Sequence, residues 1–286
     1  MNKSELLEKY SANLSGSKNH NHYMSYAKDF LSYAKEMDKK SITKYTEHLR
    51  RKRMSPGTVN FAFRVVRRLF IVNGLEWPFN RGEAPLISQR DEDQPALGLR
   101  FIATMVNAAK EKRLPANEAA FLSLSTVYAL RREEMANLRP PDFSFRNNTI
   151  YVATLKHGRQ RYHLIPPEIK PYLQKHDFKT EYSLTIMSQM FWRIVNHCGI
   201  EELKQYRLGW HSIRRTLITL LHKARIDPFS VHQFVRWKGA GEGGLAIDAR
   251  YHATSFIEPE GKRTVAAEAE GDKEIFEKHP LLELWR

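Results

Sequence analysis

The chain has 286 residues, 42% of them hydrophobic, with 46 Lys and Arg against 32 Asp and Glu and a formal net charge of +14. That length suits two modest domains better than one large core, and that charge points to a polyanion, nucleic acid ahead of an anionic membrane surface. The single Cys198 excludes an internal disulfide and a cysteine-built zinc site, and no stretch is apolar enough to span a bilayer. The first residues, MNKSELLEKYSANLSGS, hold no apolar signal core, so a cytoplasmic protein is expected.

Residues 23–37 place Tyr23, Tyr26, Ala27, Phe30, Leu31 and Ala34 at helical intervals. Ser41 reads as the N-cap of a second helix carrying Ile42, Tyr45 and Leu49 on one face. Ser55-Pro56 is a further start signal, a capping residue followed by proline at the first helical position. The helix from Pro56 to about Val72 should bury Val59, Ala62, Phe63, Val66 and Phe70 and leave Arg64, Arg67 and Arg68 mostly off that stripe. Arg50, Arg51, Lys52 and Arg53 add four consecutive cations just before it. Residues 1–78 therefore read as a small helical domain with a basic, DNA-binding surface. Residues 79–98, with Pro85, Pro95 and the acidic run Asp91-Glu92-Asp93, read as a linker.

From Leu99 helices return. Phe101, Ile102, Met105, Val106 and Ala109 make one apolar face, and 117–129 is a strongly apolar helix suited to a core. The runs 149–154 (TIYVAT) and 161–165 (RYHLI) are β-rich, and Lys156-His157-Gly158-Arg159 lies between them as a hairpin turn would. Further helices are expected near 168–176, 185–197, 211–224 and 228–236. The fold expected is mainly α, with one small antiparallel sheet in the second domain.

Five short motifs carry the chemistry. Arg131 and Glu134 are three apart, so a carboxylate can orient a guanidinium toward a phosphate. An isolated R-x-x-E is most often a surface ion pair; here the apolar helix before it would hold Arg131 at a buried junction. Lys156 shares its turn with Arg159 and Arg161, and a lysine with a lowered pKa can act as a general acid. His211 and Arg214 lie at the start of an apolar helix, a pattern that capping and basic flanks also produce. Trp237 carries an indole N–H donor, although a tryptophan after an apolar helix is most often core. Tyr251 follows a glycine-rich stretch, and surrounding cations would favour its phenolate.

In this order the motifs resemble those of the tyrosine recombinase family of the lambda-integrase type. The family's G-L-R-x-x-E-L box stands here as Ala129-Leu130-Arg131-Arg132-Glu133-Glu134-Met135. Its K-x-G-K-x-R hairpin is Lys156-His157-Gly158-Arg159-Gln160-Arg161, and its H-x-x-R-H-T box is His211-Ser212-Ile213-Arg214-Arg215-Thr216. Trp237 fills the histidine position of L-G-H, and Tyr251 stands in Ala249-Arg250-Tyr251-His252. Two departures are Ala129 in place of glycine and a longer interval between Trp237 and Tyr251. The interval leaves open whether Tyr251 acts in its own site or in a neighbour's.

The resemblance implies a two-domain C-shaped clamp on double-stranded DNA: a core-binding domain over 1–78, a linker over 79–98, a catalytic domain over 99–257 and a tail over 258–286. It implies catalysis by Arg131, Lys156, His211, Arg214, Trp237 and Tyr251, with Glu134 orienting Arg131, through a 3′-phosphotyrosyl intermediate and without metal, ATP or other cofactor. Arg50, Arg51, Lys52, Arg53, Arg64, Arg67, Arg68, Arg159 and Arg161 would contact DNA. A homotetramer would assemble on DNA from a free monomer or weak oligomer. The apolar stretch from Ile275 to Trp285 would dock on a neighbouring subunit, with packing on its own domain an equal alternative. A type IB topoisomerase uses much the same residues and is the closest rival, followed by a non-catalytic DNA-binding accessory protein.

Overall fold

The computed structural model describes residues 2–17, 19–80, 83, 95–153, 160–206, 208–237 and 265–286, with backbone alone over 265–270. The chain divides into two compact units, Met1–Asp93 and Gln94–Arg286. No helix among the described residues is long and apolar enough to cross a membrane.

The first unit packs α1 (Lys3–Asn13), α2 (His20–Tyr33), α3 (Lys39–Arg51) and α4 (Pro56–Val72) around one core. Helix α4 starts where the Ser55-Pro56 signal places it: the Ser55 hydroxyl accepts the Thr58 amide at 3.2 Å and Pro56 opens the helix. Helix α3 starts three residues earlier than the sequence suggests. Asp38, not Ser41, is its N-cap, and its carboxylate accepts the Ser41 amide at 2.8 Å. Helix α1 is an element that the sequence reading leaves unassigned; Leu6, Tyr10 and Leu14 recur every four residues and all are buried. The unit also extends past residue 78. Phe79 is 8% exposed and meets Phe63 and Trp77 at ring distances of 5.4 and 5.3 Å.

The second unit has a central buried helix, α6 (Ala116–Tyr128), surrounded by α5 (Leu99–Lys110), α9 (Leu184–His197) and α10 (Trp210–Lys223). Every residue from Glu118 to Leu130 is buried, which accounts for the near-continuous apolar run. Leu97 belongs to this core: its amide donates to the Ser212 carbonyl at 3.3 Å and its carbonyl accepts the Thr216 hydroxyl at 2.6 Å. A short helix, α7 (Arg132–Ala136), follows α6. Then comes an antiparallel sheet, β1 (Phe143–Ser144), β2 (Thr149–Val152) and β3 (Arg161–Leu164), in the order β1-β2-β3. The pairing of Ile150 with His163 and of Val152 with Arg161 turns Ile150, Val152 and His163 inward. Tyr151 and Tyr162 pair on the other face, with ring centroids 4.9 Å apart.

Helices α8 (Lys170–Gln174) and α11 (Pro228–Phe234) complete this unit with α12 (Val265–Glu277), which lies along β3. The stretch from Ile275 to Trp285 packs on its own unit. Ile275, Phe276, Leu281, Leu282 and Trp285 enter the core, and the Trp285 indole donates to the Thr126 hydroxyl at 3.0 Å. Of the two placements open from sequence, this is the own-domain one.

Candidate active site

The site is built on the way α6 ends. Ala129 takes φ +52° and ψ +38°, the left-handed conformation that stops a helix and usually belongs to glycine. The turn sends Leu130 into the core and presents Arg131 as the residue before α7. Three carbonyls of the finished helix need donors, and side chains from three distant stretches supply them. His279 Nε2 donates to the Val127 carbonyl at 2.9 Å, Arg236 donates to that of Tyr128 through Nη2 at 3.3 Å, and Arg214 Nη1 donates to that of Ala129. Two of the three are cations, which suits the negative end of a helix.

Arg131 does not share a helical face with Glu134 as i and i+3; it caps the helix that Glu134 belongs to. The Glu134 carboxylate turns back to accept the Arg131 amide at 2.8 Å, half of a capping box, and accepts Arg131 Nη1 at 2.7 Å. A third donor, Arg236 Nη2, reaches the same carboxylate at 2.9 Å. Burial pushes the Glu134 carboxyl up, but Arg236 and Arg131 together hold it below the ordinary carboxylate value. The Glu134 side chain is 1% exposed and that of Arg131 is 21% exposed. The anion is thus interior and its partner reaches solvent.

Arg131 opens onto a cleft of about 360 Å³, also lined by Arg132, Trp192, Trp210, His211 and Arg215. The cleft lies at the N-terminus of α10, where the N-cap Gly209 and residues Trp210 to Ser212 form one wall. Trp210 fixes that wall by donating its indole N–H to the Met187 carbonyl at 2.6 Å. The positive end of the helix and the guanidinium groups of Arg131, Arg132 and Arg215 outweigh the one carboxylate on the lining, that of Glu133, and favour an anion there. His211 stands at the exposed rim. Partial desolvation, then Arg214, Arg215 and Arg131, keep its pKa below the ordinary histidine value, so it is neutral at pH 7.

Arg214 is not in the cleft wall but behind it, 3% exposed. Its Nη1 holds the Ala129 carbonyl and its Nη2 the Val235 carbonyl at 2.8 Å. It therefore ties the Arg131 turn to the turn that carries Trp237. Burial, then Arg236 and Arg131, lower its pKa to about 9, and it remains protonated at neutral pH. Trp237 is half-buried, edge-on to the His232 ring at 4.6 Å, and is not among the residues lining the cleft. Lys156, Arg159 and Tyr251 lie outside the described residues.

In the first unit Arg50, Arg51, Lys52 and Arg53 are exposed at the end of α3, and Arg64, Arg67 and Arg68 are exposed on α4. Arg68 also donates to Asn13 at 3.0 Å and lies over the Tyr23 ring. Arg161 does not resemble them and is removed from the DNA-contacting set. Its side chain is 11% exposed and forms an ion pair at 2.5 Å with Asp272, which is fully buried. Sequence reasoning also misses Arg236, His163, Asp272 and His279, all 0% exposed. The one signal in the sequence is Arg236 itself, a cation where the L-G-H box has glycine.

Residues 100–241 match the family model for the phage integrase family. No curated protein matches the chain. Among solved structures, a lambda integrase dimer bound to a COC′ core site is similar with a TM-score of 0.64 and 14% identity, over 86% of this chain and 97% of that one. The Tn1549 transposon integrase in complex with transposon right-end DNA gives 0.60 and 14%, over 97% and 99%. The XerH site-specific recombinase bound to a palindromic difH substrate gives 0.59 and 17%, over 87% and 80%. At these identities the likeness is one of fold: mainly helical, with a small antiparallel sheet. With the family match over most of its second unit, the chain belongs to the phage integrase family, the tyrosine recombinases.

Proposed function

We propose that the chain is a site-specific recombinase or integrase of a mobile genetic element, which cuts and rejoins duplex DNA through a 3′-phosphotyrosyl intermediate. The observation that carries this reading is the convergence of Arg131 and His211 on one cleft at a helix N-terminus, with Arg214 directly behind. Three guanidinium groups, those of Arg131, Arg214 and Arg236, surround one carboxylate, that of Glu134. The surplus of positive charge matches a phosphodiester, and more so its pentacoordinate transition state.

In this mechanism Arg131 and Arg214 bind the non-bridging oxygens of the scissile phosphate, Arg214 by turning from its two carbonyl partners toward the cleft. His211 and Trp237 add hydrogen bonds, and His211, neutral at pH 7, can accept the phenol proton. The Tyr251 oxygen attacks phosphorus as the bond to the 5′ oxygen breaks, and Lys156 protonates that leaving oxygen. The new ester has the same bond type as the old, so rejoining is the reverse attack by a 5′ hydroxyl and requires no ATP. Arg50, Arg51, Lys52, Arg53, Arg64, Arg67 and Arg68 supply phosphate contacts that position the duplex, and exchange between two sites requires a tetramer on DNA.

The test is a pool of nicked suicide duplexes tiling the DNA that flanks the coding sequence. The expected result is a covalent protein–DNA adduct, resistant to denaturant, that is lost in Tyr251→Phe and undiminished in EDTA. An adduct that survives Tyr251→Phe rejects the assignment.

A further inference from the structure

Behind the cleft, Arg131 leads into a chain of buried polar groups to which the cleavage mechanism above gives no step. Arg131 Nη1 meets Glu134 Oε1 at 2.7 Å, and Glu134 Oε2 meets Arg236 Nη2 at 2.9 Å. Arg236 Nη1 meets His163 Nε2 at 2.8 Å, and His163 Nδ1 meets Asp272 Oδ2 at 3.0 Å. Asp272 is anchored in turn by the Leu164 amide at 3.0 Å and by Arg161. The chain links the cleft to α12 through β3. Arg236, His163 and Asp272 are each 0% exposed.

The donor and acceptor roles are determined. A guanidinium can only donate, so His163 Nε2 accepts, and the ring proton must lie on Nδ1, directed at Asp272. Asp272 therefore selects the tautomer that offers a lone pair to Arg236. Nη1 meets His163 at 2.8 Å and also donates to the Phe234 carbonyl at 3.1 Å, which leaves Nη2 directed at Glu134 and the Tyr128 carbonyl. The Arg236 backbone is unusual as well, with φ +58°, a left-handed conformation unfavourable for any residue with a Cβ. A buried ion network is weak grounds for stability but can fix a direction. The group it directs here is Glu134, the carboxylate that holds both the amide and the guanidinium of Arg131.

We propose that Arg236 is a positioning residue for the cleavage reaction, aiming Arg131 through Glu134, and that its own aim is set by Asp272 of α12 through His163. The inference rests on the recombinase reading above. It makes the seating of α12 a condition for a correctly placed Arg131, although Asp272 contacts neither Arg131 nor Glu134 directly.

Arg236→Lys and Asp272→Asn in the full chain test it. Lysine keeps the charge but cannot reach His163 and Glu134 at once; asparagine is isosteric and loses the charge that selects the tautomer. Adduct formation on the nicked duplexes under single turnover should slow about 10-fold or more, with DNA affinity within about threefold of wild type. A second readout requires no chemistry: the His211 ring titration followed by NMR, which senses Arg131, should move toward the ordinary histidine value. A purely structural role would lower the melting temperature and leave both readouts in place. If Arg236→Lys does not fold, Asp272→Asn decides alone. Wild-type adduct rate and wild-type His211 titration in Asp272→Asn overturn the proposal. If the wild-type chain forms no Tyr251-dependent adduct, the recombinase reading fails, and the titration still decides whether Asp272 aims Arg131.

Discussion

Replacing Glu134 with glutamine tests how the interior of the site is held. The carboxylate accepts three donors within 2.9 Å: the Arg131 amide, Arg131 Nη1 and Arg236 Nη2. A glutamine of the same size offers one carbonyl oxygen and turns an NH2 toward a guanidinium. Charge-assisted bonds weaken, and the cations of Arg131, Arg214 and Arg236 lose their buried counter-charge. Breaking a buried pair from one side costs about 3–5 kcal/mol, and that loss is expected in the second unit alone. Because the two units need not unfold together, the measurement is hydrogen exchange resolved by peptide, comparing the end of α6 and α7 with α4. A loss under about 1 kcal/mol at α6, or an equal loss at α4, refutes the reasoning. Adding Arg236→Met to Glu134→Gln removes one surplus cation and should recover about 1 kcal/mol or more as a coupling energy.

Other expectations follow from the same contacts. Burial holds the His163 and His279 imidazoles down to about 4. Between pH 6.5 and 4 the unfolded chain binds protons that the folded one refuses, so stability falls on acidification by roughly 3 kcal/mol per pH unit for the pair. Urea denaturation at pH 7, 6 and 5 checks this, and a flat profile counts against it; Glu134, with a depressed pKa, adds its own loss only at lower pH. Trp285→Ala removes a 4% exposed ring that packs on Tyr172 at 4.8 Å and bonds Thr126, and should cost about 3–5 kcal/mol in thermal or chemical denaturation. Ser55→Ala should cost about 1 kcal/mol in exchange protection of α4 and leave the second unit unchanged. If Arg64 and Arg67 contact phosphates, replacing each with alanine should reduce the slope of log affinity against log salt by about 0.9.

What could be read in the sequence followed from local rules. Ser55-Pro56 specifies a helix start by capping chemistry alone, and the apolar run from Ala119 to Leu130 announces a buried helix that leaves Arg131 at its end. Two short features resist such reading. Strand β1 has only two residues, too few for a pattern, and Asp38 is hidden as an N-cap because Lys39 and Lys40 fill the first turn that an acidic residue would mark. The charged interior is a different matter. Arg161 next to a cationic turn looks like a DNA contact until Asp272, 111 residues later, is seen to pair with it. His163 and His279 are likewise indistinguishable from surface residues in one dimension, and Arg236 stands out only as a cation where the L-G-H box has glycine. Their roles depend on partners brought together only by the tertiary fold.

The end of α6 has a consequence for the order of events during synthesis. Its three terminal carbonyls await donors that lie 85, 108 and 152 residues downstream. Local helix formation takes well under a millisecond, whereas closures of that span come late. A nascent chain can therefore form the body of α6 early and still leave the Arg131 turn unfinished until His279 has left the ribosome. A half-made polypeptide would carry the exposed basic helices of its first unit before the turn that places Arg131 is complete, so its general attraction to polyanions would come ahead of the finished cleft.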